Sequence, residues 1–186
     1  MQKKVFDPGT YLFPVPAVMV SCAGGGQQNI ITIAWTGTVN SKPPMVGISI
    51  TPQRYSFDLI KETGEFVVNI PDDSLVKETD YCGCVSGRKV DKFKDTGLTS
   101  IPAKTISVPM IGEAPVNLEC KVVAENELGS HHQFIGEVKK VHIANNLIDE
   151  QGKLDIYKGN LISFGGKAYY QPGKQIYGRG ESMKQK

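Results

Sequence analysis

No apolar run in this chain approaches the roughly 20 residues that a membrane-spanning helix needs, and neither sign of charge dominates. The 186 residues carry 21 Lys and Arg against 19 Asp and Glu, a formal net charge of +2. Outside the C-terminus no dense basic run marks a nucleic-acid partner. Residues from Met1 onward do not lead into the apolar stretch of a signal peptide, because Asp7, Pro8 and Gly9 interrupt it. The expected location is the cytoplasm, with no membrane partner. Cysteine is sparse as well: Cys22, Cys82, Cys84 and Cys120 show no disulfide-framework spacing, and a reducing compartment would keep them as thiols.

Familiar signatures are also missing. Gly24-Gly25-Gly26 falls between two expected strands rather than opening a helix, so it is no dinucleotide fingerprint. A nicotinamide cofactor would have to bind transiently by other means. There is no phosphate loop of the Gly-x-x-x-x-Gly-Lys-Ser/Thr type and no Gly-x-Ser-x-Gly nucleophile elbow. Cys82-Gly83-Cys84 is the strongest metal-like feature, yet structural zinc sites pair two such motifs, and Cys22 and Cys120 stand alone in expected strands. Two ordinary thiols at a helix end is the better reading. His131, His132 and Glu137 lack helical ligand spacing, and no metal is assigned to them.

What is present is an ordinary globular composition, 40% hydrophobic and 22% charged, in a chain long enough to bury one core. We expect one domain, with an arm over residues 1–16 and an extension over 165–186. The organising stretch is Asn29 to Gly37, where Ile31, Ile33 and Trp35 alternate with Thr32, Ala34 and Thr36. That period of two predicts one strand with an apolar face and a small polar face, against which a flat polar ligand could lie. Trp35, the only tryptophan, reads as a core anchor or an interface residue.

The arm, with Tyr11, Leu12 and Phe13 as apolar anchors, is expected to dock. Strands are predicted over Ala17 to Ala23, Met45 to Ile50 and Glu65 to Ile70, then over Val116 to Ala124 paired with Phe134 to Ala144. A slip of apolar phase suggests a bulge at Lys139 and Lys140. Shorter strands are expected near Leu154 to Ile156 and Leu161 to Phe164. A helix starts near Thr51-Pro52 or at Ser56, both residues being suitable caps, and ends at Gly64. A second helix runs from Asp72 to Ser74, its cap, to about Cys82. Many short strands with few helices predict a mainly β fold, a closed or nearly closed barrel.

Arg54 and the Ser56 hydroxyl near a helix start favour an anion, and Lys92 adds a second cation. With Asn29 to Thr36, Ser49 and the loop from Ser86 and Gly87 to Lys92, they form the first candidate site. Taken singly, each of these residues is an ordinary surface or sheet residue; their order along the chain favours a ligand.

These same elements resemble a family. Asn29-Ile30-Ile31-Thr32-Ile33-Ala34-Trp35-Thr36-Gly37, then Arg54-Tyr55-Ser56 ahead of Gly64-Glu65-Phe66-Val67-Val68-Asn69, are similar to the flavin reductase-like proteins of the FMN-binding split-barrel fold. Ser86-Gly87 before Asp91-Lys92-Phe93 and Gly97-Leu98 fits the same pattern, as does Gly129-Ser130-His131 leading into Phe134-Ile135-Gly136-Glu137-Val138. The resemblance runs from about Tyr11 to about Gly166, and the branch most resembled is flavoredoxin. One departure is Ser130, where an acidic residue is usual.

The resemblance implies a homodimeric, six-stranded antiparallel Greek-key split barrel that holds FMN non-covalently. By it, Thr32, Ala34, Trp35 and Thr36 lie along the isoalloxazine and ribityl parts. Ser49, Arg54, Ser56 and Lys92 lie near the ribityl chain and phosphate, Asn29 belongs to the same wall, and Ser86 and Gly87 close the site. His131 lies near the flavin or the subunit boundary, and an imidazole is the side chain suited to proton delivery near neutrality. The function implied is electron transfer through FMN, with a redox partner protein or NAD(P)H as donor. The alternatives are an NAD(P)H-dependent flavin or ferric reductase and a flavin-binding protein without turnover.

Overall fold

The computed structural model describes residues 1–155 and 157–183. In chain order the strands and helices are β1 (Val15–Pro16), β2 (Val18–Gly24), β3 (Gln27–Ile33), β4 (Thr36–Ser41), β5 (Pro44–Ile50), α1 (Tyr55–Thr63), β6 (Glu65–Ile70), α2 (Val76–Cys84) and α3 (Lys92–Thr96). They continue with β7 (Ser100–Ile101), β8 (Met110–Ile111), β9 (Val116–Glu127), β10 (His132–Ile143), β11 (Ser163–Gly165) and β12 (Ala168–Tyr170). The main sheet is antiparallel and seven-stranded, in the order β3-β2-β6-β9-β10-β5-β4. One strand more than expected is present because Asn29 to Gly37 is not a single strand. The chain leaves β3 at Ile33, bends through Ala34 and Trp35, and enters β4 at Thr36 on the opposite edge of the sheet. The two edges are thus joined by two residues of covalent chain, which rolls the sheet into a barrel that is split there.

Local chemistry accounts for the elements. Gly25 and Gly26, both at positive φ (55° and 76°), make the two-residue turn between β2 and β3. Gly64, at φ 66°, ends α1 in the left-handed conformation and donates its N–H to the Ile60 carbonyl at 2.8 Å. Neither Thr51 nor Ser56 caps that helix: Arg54 holds the cap position, without a side-chain cap bond. Asp72 does cap as expected, accepting from Ser74 N, but it opens a 3₁₀ turn that leads into α2. Lys139 is the expected bulge in β10, and a second irregularity lies between Ile135 and Gly136.

Inside the barrel Cys22, Ile31, Ile48, Ile50, Phe66, Cys120 and Phe134 pack together, with Phe57, Leu59 and Ile60 of α1 closing one end. A second cluster seats α2 and α3 on the outside of β2 and β3 through Met19, Ile30, Leu75, Cys82 and Phe93. At Gly83 the approach to β3 is close, since a Cβ there would stand 3.2 Å from the Thr32 Cβ. Packing therefore accounts for Cys82 and Gly83 of the Cys-Gly-Cys run, whereas Cys84 is exposed.

The face of β9 carrying Asn117 and Glu119, polar by pattern, is buried rather than solvated. The segment around 104–111 lies across it and is tied down by polar groups. Asn69 accepts from Ile111 N and Asn117 Nδ2 at 3.0 and 2.8 Å. Glu119 accepts from Lys104 N, from the N–H and hydroxyl of Thr105, and from His142 Nε2.

The arm docks through β1, which pairs with β11, but Tyr11, Leu12 and Phe13 are not buried anchors, being 68%, 84% and 47% exposed. The C-terminal stretch begins as the β11–β12 hairpin, whose Tyr169 hydroxyl donates to Asp80 on α2 at 3.2 Å. Leu161, expected in a strand, instead bridges Asp72, and Leu154 bridges Ile148; Ile156, in the other expected strand, and residues 184–186 of the extension lie outside the described residues. No helix among the described residues is long and apolar enough to cross a membrane.

Glu119 makes the fold pH-sensitive. Burial alone would raise its pKa, but the hydrogen bonds from Thr105, Lys104 and His142 outweigh that and bring it down from 4.5 to about 2. The carboxylate therefore contributes stability above pH 4.5, and that contribution is lost as pH falls towards 2. Urea unfolding should show a loss of about 3 kcal/mol across this window; Glu119→Gln should be less stable at pH 7 and should flatten the slope.

Candidate functional site

At the barrel mouth, beside the split, β3, the start of α1 and the loop after α2 enclose a cavity of about 400 Å³. Asn29, Arg54, Ser56, Ser86, Gly87 and Lys92 all line it, with Ile31, Thr51, Gln53, Tyr55, Cys82, Gly83 and Val85. Two cations and no carboxylate stand on its wall. Arg54 makes no ion pair among the described residues, whereas Arg88 nearby is bound to Asp58 at 2.5 Å.

The floor of this cavity is buried and tightly arranged. Asn29, 3% exposed, donates from Nδ2 to the Ser56 oxygen at 2.8 Å. Ser56 sits in the first turn of α1, where no side chain caps the helix; the Phe57 N–H is taken by the Arg54 carbonyl at 3.0 Å, which leaves the N–H groups of Tyr55 and Ser56 open. Ser56 is itself fully buried, its oxygen accepting from Asn29 and its hydroxyl in hydrogen-bond reach of the Cys22 thiol. Gly87 is glycine because a Cβ there would lie 2.1 Å from Asn29 Oδ1. Lys92 differs from a surface cation: it is buried and its Nζ donates to the carbonyls of Ile30 and Cys82, both at 2.6 Å. Burial holds its amine below the ordinary lysine value of 10.5, and the positive charge of Arg54 acts in the same direction. Two of its three donors pin β3 to α2 and one remains for the cavity.

A shallower trough of about 200 Å³ adjoins the first cavity, sharing Ile31, Thr51 and Arg54 with it. Thr32, Ala34, Trp35, Ser49 and His131 form its walls. The His131 ring packs on Trp35 with centroids 4.5 Å apart, and its Nδ1 lies 2.9 Å from the Ser130 hydroxyl. The Thr32 hydroxyl is already committed to the Thr79 carbonyl. Trp35, 46% exposed, is no core anchor. Of the residues singled out in the sequence, Thr36 alone lines neither space; it lies beyond Trp35, on the other side of the split.

Burial pushes the thiols of Cys22 and Cys82 up, to about 12 and about 11, which keeps both protonated at neutral pH. Among the described residues no three His, Cys, Asp or Glu side chains converge as a metal site. Sequence reasoning missed Gln53, Tyr55 and Val85, whose types carry no signal, and the Asn29–Gly87 contact, which joins residues 58 positions apart in the chain.

A sheet rolled into a barrel and split at the seam between β3 and β4 places the chain in the split-barrel class. Residues 10–168 match the model of the family described as flavin reductase like domain, and the chain belongs to that family. It is similar in structure to the flavoredoxin of Desulfovibrio vulgaris (Miyazaki F), with a TM-score of 0.91 and 31% identity over 96% of this chain and 97% of that one. Flavoredoxin from Methanosarcina acetivorans is as similar, at TM-score 0.91 and 31% identity, covering 98% and 100%. In sequence the chain is 35% identical to an uncharacterised protein of Archaeoglobus fulgidus over 91% of its own length and 94% of the relative's.

The buried contact between Asn29 and Gly87 yields a prediction. Gly87→Ala should destabilise the fold by about 2 kcal/mol, because Asn29 cannot yield without breaking its bond to Ser56. In an Asn29→Ala background the same change should have an effect below about 0.5 kcal/mol, as read by denaturant unfolding of the four variants.

Proposed function

We propose that this chain binds FMN non-covalently and transfers electrons through it, as a protein of the flavoredoxin type. The observation that carries the reading is the pairing of two unlike spaces: an acid-free cradle with two cations and an uncapped helix start, opening into a trough walled by Thr32, Ala34, Trp35 and His131. A phosphate suits the first and a flat polar ring the second.

In the cradle Arg54 supplies a fork of donors and full charge, and Lys92 a single remaining donor. The open N–H groups of Tyr55 and Ser56 at the start of α1 bond the remaining oxygens, with the Asn29–Ser56 pair as the floor beneath them. Ser86 and Gly87 close the loop over the anion, while Ser49 and Trp35 border the ring side. Bound flavin supplies the one- and two-electron chemistry, and the chain holds it, orients it and tunes it. His131, fixed between Trp35 and Ser130, is placed to hold or deliver a proton at that side. Two copies forming a dimer, and a redox protein or NAD(P)H as donor, complete the proposal; the half-exposed Trp35 and the bare apolar arm support an interface there.

Freshly purified, untagged protein should be yellow and release FMN at about one per chain on denaturation; a colourless chain that takes up neither FMN nor FAD would defeat the reading. Arg54→Ala should raise the FMN dissociation constant at least about tenfold while turnover of the fully loaded form changes far less. Because Lys92 is charged only below its lowered pKa, FMN affinity should fall as pH rises towards 10.5, earlier than an ordinary lysine would dictate; Lys92→Arg should remove that early fall in a direct binding titration, provided the variant folds.

A further inference from the structure

Between α2 and α3 the chain runs through residues 85–91, a loop that brings Ser86 and Gly87 to the cradle and ends where Asp91 caps α3. Its two ends are fixed. The Val85 N–H donates to the Tyr81 carbonyl at 3.0 Å, and Lys92, the first residue of α3, is buried. Between those ends packing is thin, for none of residues 85–91 is buried. A second, polar cavity of about 420 Å³ adjoins the same loop, lined by Gly87 to Asp91 and reaching Gly26, Gln27 and Gln28 at the β2–β3 hairpin. Tyr55 and Gly87 border both this cavity and the cradle. A segment bordered by two cavities has few contacts to hold it, so those it has decide how often it opens.

Arg88 supplies the decisive one. Its Nη2 donates to Asp58 Oδ2 at 2.5 Å, and its guanidinium lies over the Tyr55 ring, 5.0 Å from the centroid. Both partners stand in the first turn of α1, whose open N–H groups face the cradle beside Arg54. An arginine can pair with a carboxylate and stack on a ring at once, which an ammonium does poorly. The loop's other polar bonds tie it to nothing else: Arg88 N donates to Ser86 Oγ at 3.3 Å and Lys89 N to the Ser86 carbonyl at 3.0 Å, both within the loop.

We propose that Arg88 is a latch: paired with Asp58 and stacked on Tyr55, it holds the loop shut against α1, and the opening of that contact sets how fast an anionic ligand leaves the cradle. That the ligand is FMN rests on the flavin reading; the latch does not.

Two substitutions test it by their signs. Arg88→Ala and Asp58→Ala should each speed the release of FMN from the loaded full chain about three- to tenfold, and the double variant should do little more than either, because one contact is lost in all three. Were Arg88 instead a third cation for the phosphate, Arg88→Ala would speed release while Asp58→Ala, which frees Arg88 and removes a carboxylate, would slow it. Release is read by stopped-flow dilution as the rise of free-flavin emission. Hydrogen exchange of the flavin-free chain gives the second readout: the amides of Ser86, Gly87 and Lys89 should exchange several-fold faster in both variants, with Tm unchanged because the ion pair is exposed. Opposite signs, additive effects or unchanged exchange would overturn the proposal. FMN uptake with a release rate that neither variant moves would overturn it and leave the flavin reading intact. A chain that takes up no flavin, yet whose loop amides exchange faster in both variants, would sustain the latch and defeat the flavin reading.

Discussion

The constraint on which the rest of the structure depends is the two-residue passage from one edge of the sheet to the other. Ala34 and Trp35 are too short a link to let β3 and β4 lie far apart, so the seven strands must curl until their edges meet. The Trp35 carbonyl accepts from Ser49 N at 3.0 Å, fixing the bend against β5. Closure is incomplete at that seam, and incompleteness is what leaves the cavities there. On one side lie the cradle and trough; on the other lies a cavity lined by no charged residue. Trp35 stands between them and borders both.

Charge inside the cradle is held in place by neutral groups. Lys92 is buried, yet its ammonium is satisfied by two backbone carbonyls from β3 and α2, so the same contacts that hold α2 on the barrel hold a cation at the cavity wall. Asn29 plays the corresponding part for Ser56. Neither arrangement needs a ligand to form. Preorganisation of this kind reduces the ordering required on binding, and it couples the cradle to fold stability through the Gly87 contact.

Much of this was legible in the sequence, and the gaps have physical causes. The strands β2, β5, β6, β9 and β10, the Gly25-Gly26 turn, the helix end at Gly64 and the bulge at Lys139 follow from local chemistry that a sequence states outright. Arg54, Ser56, Ser86 and Gly87 could be placed near one another because they flank helix starts and loops. What could not be read was long-range. Alternation through Ile31, Ile33 and Trp35 continues without a break, and nothing local marks the bend that sends Thr36 to the other edge. Glu119 reads as a solvent-facing residue on β9 because its burial is created by a segment some 14 residues away, and Lys92 reads as a surface charge because its carbonyl partners lie on β3 and α2. Tyr11 and Leu12 read as anchors on hydrophobicity alone, whereas the arm is held by the β1–β11 pairing instead.

The central claim is that the cradle recognises a phosphate ester joined to a flat ring, and comparison of FMN with riboflavin tests it most directly, since the two differ only in that phosphate. Isothermal titration of the flavin-free chain with each should show FMN binding about a hundredfold or more tightly, the contribution expected from charge-assisted bonds to Arg54, Lys92 and Ser56. Equal affinities would contradict the account, because the two cations and the open helix start would then have no part in binding.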